Sequence, residues 1–244
     1  WIGNIEGCTD ELANNFDSNA NINDGSCEYP DNGDYYLSFD GNDVINVINA
    51  NNFYDELEDW IISVTVMFDD DGWQWIIENN YINNEQSNQS FVFRKRSSTD
   101  SSNANKLQFR AYNPPCQGCS SLDDWFSNKA DFVSNQWYDI SLVYSNYRLE
   151  FWIDGVLDNY YEEANGIDPD IILDCNQYET RIGSAYGEGE YLRGNIKNIL
   201  FAKNSYSLLE SGMLDGDDVA QVNKIFDYKI KSGSTDYAYD YYGN

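Results

Sequence analysis

The sequence predicts an all-β protein built as an antiparallel β-sandwich or jelly roll. Three observations carry that expectation: apolar and polar residues alternate over short runs from Tyr35 onward, turn residues separate the runs, and no long amphipathic helix intervenes. Hydrophobic residues make up 41% and aromatics 16% of the 244 residues, enough for a packed core at a mean hydropathy of -0.63. Intrinsic disorder is thereby set aside as the main state.

In chain order, Tyr35 to Val47 gives two strand-like halves hinged at Asp40-Gly41, and Trp60 to Phe68 alternates Ile62, Val64 and Val66 against Ile61, Ser63 and Thr65. Further runs are Trp73 to Ile77, Phe91 to Arg94, Lys106 to Tyr112, Trp137 to Tyr144, Arg148 to Ile153, Thr180 to Gly183 and Asn195 to Phe201. Ile140, Leu142 and Tyr144 are expected to face the core, and a turn at Asn146 returns Leu149, Phe151 and Ile153 to it. Asp154-Gly155 then carries type I′ hairpin chemistry. Asp217 is expected to cap a short helix with Val219, Val222 and Phe226 on one face. Residues 1–33 have little apolar periodicity and cannot fold through a core of their own. The expected organisation is an Asp/Asn-rich segment over 1–33, the sandwich over 34–230 and an acidic, aromatic tail over 231–244.

Acidic residues outnumber basic ones by 42 to 14, a net charge of -28, and there is no histidine. A chain so anionic repels phosphates, which excludes nucleic acid and anionic membranes as partners and makes calcium the first ligand to expect. No stretch reaches the roughly 20 apolar residues of a membrane span. The chain opens at Trp1 with neither Met nor a leader, as a processed chain or an excised piece would. Its five cysteines, with no histidine and few neighbouring thiols, argue against structural zinc and for oxidised bonds in an extracellular or surface-exposed setting. Cys8 and Cys27 flank an eighteen-residue, turn-forming interval and are expected to pair. Cys175 is expected to bond one thiol of the Cys116/Cys119 loop, with Cys119 the favoured member. Asn88 in NQS is an N-glycosylation sequon.

Four stretches together resemble the laminin-G-like, concanavalin A-like jelly-roll family: LSFDGND at Leu37 to Asp43, NQWYDISLVY with LEFWIDGVL between Asn135 and Leu157, TRIGS at Thr180 to Ser184, and LRGNIKNILF at Leu192 to Phe201. The resemblance spans roughly Tyr35 to Phe226 and implies that fold. Lys197 and Asn198 stand where the family usually has two acidic residues, which weakens any inherited ligand at that position. The same jelly roll houses glycosidases that resemble laminarinases and carry an E-x-D-x-E strand. That alternation is absent here: Asp55, Glu56, Glu58 and Asp59 lie in an expected loop, and Asp69, Asp70 and Asp71 are consecutive. An enzyme is therefore not expected.

The segment Gly7 to Tyr29 resembles a short cysteine-bracketed module related to thrombospondin-type calcium repeats, matching it at Cys8, Thr9, Asp10, Ala13, Asn15, Asn19, Ala20, Asp24, Gly25, Ser26 and Cys27. From spacing alone, Asp17, Asn19, Asn21 and Asn23 recur at alternate positions as EF-hand ligands do, and Glu28 falls at the closing carboxylate. Ile22 replaces the glycine such a loop requires. A small calcium-stapled loop is expected, with Asp10, Asn15, Asp17, Asn19, Asn21, Asn23, Asp24 and Glu28 as candidate ligands. A disulfide-closed cap whose Asn and Asp only form turns is the plainer alternative.

Aromatics are the remaining chemical resource. Trp60, Trp73, Trp75 and Trp152 lie on strand patterns and are expected in the core. Trp125 and Tyr186, each among polar turn residues, are expected to be exposed for stacking sugars, with Asp123, Asp124, Asn128 and Glu188 to accept hydroxyl hydrogen bonds. Because no basic cluster is visible along the chain, neutral glycans are expected over anionic ones. The expected function is a non-catalytic, secreted or cell-surface recognition and adhesion module that binds a glycan or protein surface. The alternative is a structural subunit of a fibre, sheath or virion surface that docks copies of itself into a filament.

Overall fold

The computed structural model describes residues 3–9, 15–24, 26, 36–47, 59–81, 89–113, 121–162, 178–185, 191–203 and 223–229. At the N-terminal end, β1 (Glu6–Gly7) and β2 (Ile22–Asn23) pair in parallel. All other strands among the described residues belong to two antiparallel sheets.

The seven-stranded sheet contains β3 (Leu37–Asp40), β5 (Trp60–Phe68), β10 (Trp137–Ser145), β11 (Arg148–Ile153), β12 (Val156–Glu162), β14 (Arg193–Lys203) and β15 (Asn223–Lys229). Its order is β12-β11-β10-β5-β14-β15, and β3 also pairs β14. The two share one side of β14 end to end: β3 takes Arg193 to Ile196 and β15 takes Asn198 to Lys203. The six-stranded sheet orders β4 (Ile45–Val47), β13 (Tyr178–Ile182), β6 (Gln74–Tyr81), β7 (Gln89–Lys95), β8 (Leu107–Asn113) and β9 (Ser121–Phe126).

Period-two alternation decides which face of each strand is buried. On β5, Ile62, Val64, Val66 and Phe68 join Ile140, Leu142, Phe151, Ile196 and Phe201 within one core cluster. The opposite sheet contributes Ile77, Phe91, Phe93, Leu107, Phe109 and Ile182. Trp60, fully buried, sits at the centre, with ring centroids 5.1 Å from Phe109, 5.6 Å from Tyr144 and 6.3 Å from Phe201. Each such side chain contributes about 1.5–3 kcal/mol on removal from water, so the two sheets are held mainly by this layer. The hairpins follow the turn chemistry read from sequence. Asp154 and Gly155 have φ of 51° and 73°, and Asn146 and Tyr147 have 50° and 58°, the positive pairs that let two-residue turns follow strand twist.

Two expectations are corrected. Residues 223–226 are not helical: β15 adds to the edge of β14, with Phe226 opposite Phe201, and backbone pairing along an open edge outweighs the weak helical spacing. Asp217, Val219 and Val222 lie outside the described residues, as does the 231–244 tail. The stretch SSLDDWFSN, read as a loop, contains β9, which pairs β8 from Gln108↔Phe126 to Asn113↔Ser121.

Where β9 and β12 end their respective sheets, side chains join them. The Phe126 amide donates to the Tyr161 hydroxyl at 3.0 Å, and the Phe126 carbonyl accepts from Tyr161 Oη and Asn159 Nδ2 at 2.9 and 2.8 Å. The Asp158 carboxylate accepts the amides of Asn128 and Lys129 at 2.6 and 3.0 Å.

Candidate functional site

The outward positions of the six-stranded sheet carry the chain's densest cluster of aromatic and cationic groups among the described residues. In strand register, Trp75, Arg94, Gln108 and Phe126 form one row, and Glu78, Val92, Arg110 and Asp124 the next. Trp73 and Arg96 extend the first row at its end. Alternation explains the placement: Phe91, Phe93, Leu107 and Phe109 point into the core, so the intervening residues must point out.

The Arg94 guanidinium carbon lies 4.6 Å from the Trp73 ring centre and 4.4 Å from that of Trp75, and Arg96 lies 4.8 Å from Trp73. The two indoles are 5.8 Å apart. Such stacking holds a guanidinium flat and contributes about 0.5–1 kcal/mol when exposed and about 2 kcal/mol when desolvated. Gln108, fully buried, binds the cluster together. Its Oε1 accepts from Arg94 Nε at 2.8 Å and Arg96 Nη1 at 3.3 Å, and its Nε2 donates to Asp124 Oδ1 at 2.7 Å. Arg110 grips Asp124 with two bonds of 2.6 and 2.8 Å, and Arg96 pairs with Asp100. Partial burial pushes the Asp124 carboxyl up, but the hydrogen bond and charge of Arg110, with Gln108 and Arg94, outweigh it and hold the group below the ordinary aspartate range. Asp100 is held low chiefly by the Ser102 backbone N–H, with Arg96 adding to it.

Trp75 and Val92 are buried against Ala185, with Trp73 partly buried beside them, so the turn after β13 folds onto this face. Arg94, Arg96, Arg110 and Phe126 around this floor are half-buried. Lys95, the inward residue between Arg94 and Arg96, reaches the end of the core over the Phe68 ring and donates to the Gly72 and Arg96 carbonyls at 3.4 Å each. Burial drives its amine below the usual lysine range, against the opposing pull of Asp71 and Asp70.

Of the residues expected to bind sugar, the structure brings only Asp124 onto this face. Trp125 is corrected: it is 4% exposed on β9 and stacks on Phe109 at 6.0 Å, because its strand neighbours, not Trp125, take the outward positions. Asp123 is exposed and pairs with Ala111, one position along β9 from Asp124. Asn128 is committed to Asp158, by its amide and by Nδ2 donating to the Asp158 carbonyl at 2.8 Å. Tyr186 and Glu188 lie outside the described residues, in the segment that leaves Ala185 at the edge of the cluster. Sequence reading expected Trp75 to be buried, and it is, at 2% exposure on the outer side of the sheet; it missed Trp73 as a half-buried surface group, and missed Arg94, Arg96, Gln108 and Arg110 altogether. The available signal was two arginines in alternate positions after the Phe91/Phe93 core pair, in a chain poor in basic residues.

The opposite face of the sandwich holds a smaller aromatic pair. Tyr36, 51% exposed, meets Trp137 edge-on at 5.7 Å, and Lys197 Nζ lies 4.7 Å over the Trp137 ring. Thr65 Oγ1 donates to Asp139 Oδ1 at 2.7 Å, one further outward position along the same sheet.

In the N-terminal segment, the expected metal ligands act as turn formers where they are described. Asp17 Oδ1 accepts the amide and side-chain nitrogens of Asn19 at 2.9 and 3.0 Å, and Asp24 Oδ1 accepts the Ser26 amide at 2.9 Å. Asn21 accepts from the Ile5 amide and donates to the Gly3 carbonyl. Asn15 donates to the Ser26 carbonyl, and the Asn23 backbone pairs with Gly7. Among the described residues no three acidic or thiol groups converge, so these donors do not by themselves form a cation cage. Asp10 and Glu28 lie outside the described residues. Cys8 is buried and disulfide-bonded. The other four cysteines, Cys27, Cys116, Cys119 and Cys175, lie outside the described residues.

No protein-family model matches the chain, and no curated protein matches its sequence. Solved structures share its fold. A Bacteroides ovatus protein provisionally assigned to carbohydrate binding superposes with a TM-score of 0.56 at 14% identity, over 85% of this chain and 53% of that one, so this chain spans about half its length. The CBM40 domain of a Ruminococcus gnavus sialidase, bound to α2,3-sialyllactose, gives 0.53 at 11% identity over 72% of this chain and 94% of that one. Domain 4 of AbnA, an extracellular arabinanase of Geobacillus stearothermophilus, in complex with arabinotriose, gives 0.51 at 9% identity over 74% and 79%. At these identities the likeness is one of fold, and the chain is a jelly-roll β-sandwich of the architecture found among carbohydrate-binding domains.

Proposed function

We propose that the chain is a non-catalytic carbohydrate-binding module that engages its ligand on the outward face of the six-stranded sheet. The observation that carries this reading is the half-buried Trp73 beside the Arg94, Arg96 and Arg110 guanidiniums and the Asp124 carboxylate, seated on a buried floor of Trp75 and Gln108. The exposed part of Trp73 suits the apolar side of a pyranose ring, and the preorganised guanidinium and carboxylate groups around it suit its hydroxyls. Three neighbours of the same fold are named for carbohydrate binding or hold a saccharide, which supports the reading at the level of class. AbnA and the sialidase are enzymes in which a separate domain takes this shape, and the lack of an alternating acidic triad in the sequence favours a non-catalytic role here.

The test is a glycan array probed with the full chain and two variants. Trp73→Ala is expected to lose at least tenfold in affinity for whatever the wild type binds. Tyr36→Ala, on the opposite sheet, is expected to keep it. Loss with Tyr36→Ala and retention with Trp73→Ala would move the site to the Tyr36–Trp137 pair. For the N-terminal segment we propose a Cys8–Cys27 bond that closes a calcium-stabilised loop. The amide of Asp24 donates to the Gly7 carbonyl at 3.3 Å, which brings the chain near Cys27 back beside Cys8 and supports that pairing. Calcium there depends on Asp10 and Glu28 adding to Asp17 and Asp24.

A further inference from the structure

Two aromatic rings flank Arg96, at the end of β7. Its guanidinium carbon lies 4.8 Å from the ring centre of Trp73, just before β6, and 5.6 Å from that of Phe126 on β9. The sheet runs β6-β7-β8-β9, so the two rings approach the guanidinium from opposite sides. Trp73 and Phe126 are both half-buried, whereas Gln108, which touches Arg96 from β8, is fully buried. We infer that Trp73, Arg96 and Phe126 form one extended platform that selects a linear oligosaccharide of three or more units over a mono- or disaccharide. The inference rests on the carbohydrate-binding reading above and adds to it the length of the ligand and its direction across the strands.

Spacing and rigidity both favour an extended ligand. Neighbouring strands are roughly 4.8 Å apart, close to the repeat of a glycosidic chain. The ring centres of Trp73 and Phe126 are separated by no more than their two distances to Arg96 together, which is the length of two such repeats. With a guanidinium filling the space between them, sugars stacked on the two rings are the first and third units of a chain, and the second lies above Arg96. That middle position is fixed before any ligand arrives. Asp100 Oδ2 accepts from Arg96 Nε at 3.1 Å and pairs with Nη2, and Gln108 Oε1 accepts from Nη1 at 3.3 Å. The guanidinium therefore loses little side-chain entropy on binding. Asp100 also balances its charge, so what Arg96 adds to the platform is flat surface. A short saccharide stacks on one ring at a time. A chain of three reaches both, and its second stacking contact is intramolecular, so affinity rises steeply at that length.

Isothermal titration calorimetry on the full chain measures affinity against chain length, with cello-, β-1,4-galacto- and α-1,5-arabino-oligosaccharides of one to six units as probes. Where the array identifies another saccharide, the length series of that saccharide takes their place. In the series that binds, the tetrasaccharide is expected to bind at least tenfold more tightly than the disaccharide, with little further gain beyond it. Phe126→Ala is expected to remove that gain and to leave the affinity for the disaccharide within twofold of wild type. Phe126→Leu, which keeps apolar bulk but has no ring, is expected to do the same, and it supplies the second variant should Phe126→Ala fail to fold, as judged by its thermal melt. A disaccharide that binds as tightly as the tetrasaccharide would overturn the inference and leave the carbohydrate-binding reading standing. A gain with length that survives both Phe126 variants would place the extended platform elsewhere and overturn the assignment to these residues. A protein that binds none of the probes, and nothing on the array, would remove both.

Discussion

Gly183 controls the turn that folds onto the candidate site, and replacing it by alanine tests how tightly that turn is specified. Its φ of +82° is one that residues with a side chain rarely adopt, and an added Cβ would sit 2.2 Å from Cε1 and 2.4 Å from Cδ1 of the buried Phe39 ring. Backbone movement is resisted on both sides, since the Gly183 amide donates to the Ile76 carbonyl at 3.0 Å and the Gly183 carbonyl accepts from the Leu192 amide at 2.7 Å. The positive φ costs alanine about 1–2 kcal/mol. Overpacking against the ring adds about 1–3 kcal/mol. Gly183→Ala is therefore expected to destabilise by about 2–5 kcal/mol, a fall in melting temperature of roughly 4–20 °C for a domain of this size. Urea unfolding with an unchanged m-value is the assay. The ring's share can be isolated: in a Phe39→Val background, which lacks the clashing δ and ε atoms, the cost of Gly183→Ala should drop to about 1–2 kcal/mol, the backbone part alone. A cost below about 0.5 kcal/mol in the wild type, or one that Phe39→Val leaves unchanged, would refute the reasoning.

Three further outcomes are expected. Trp125→Ala should lower stability by about 3–5 kcal/mol in chemical unfolding, as a core truncation does, and weaken glycan binding only where the fold is lost. Because the folded-state Asp124 carboxyl is held below its unfolded value, its contribution is present above pH ~4 and lost as pH falls through the lower, folded-state pKa. Acid titrations should therefore show wild type losing stability over that interval more steeply than Asp124→Asn. For the N-terminal segment, non-reducing peptide mapping should join Cys8 to Cys27, and calcium at 100 times its dissociation constant should add about 2.7 kcal/mol that EDTA removes. Coincident melts with and without calcium would leave the Asp and Asn side chains of that segment as turn formers only.

The sandwich was legible wherever a strand buries one face. The runs Trp60 to Phe68, Trp137 to Tyr144 and Arg148 to Ile153 appear as β5, β10 and β11 with their expected inward residues buried, since alternation is written locally. β9 was hidden because its polar residues imitate a turn. Asp124 tolerates a strand through Arg110, a partner fourteen positions away that no short local window contains. The same distance hid the candidate face. Arg94 and Arg96 follow the core phenylalanines of β7, Arg110 belongs to another strand, and only the register between β7 and β8 makes them neighbours. Residues 223–226 misled for the converse reason: their spacing fits a helix, but the side of β14 they occupy offers a full set of backbone partners that a short isolated helix lacks.

The bonds from Asp158, Asn159 and Tyr161 across to β9 bear on how such a molecule could polymerise. An uncovered terminal strand is a template onto which another chain can add its own strand. At this end of the sandwich the Phe126 amide and carbonyl and the Asn128 and Lys129 amides are already taken by side chains of β12, so an incoming strand finds that stretch of template spent. Fibre growth through strand exchange is thereby steered away from the β9–β12 flank. Among the described strands, backbone pairing between copies is left to other edges, such as those at β4 and β15.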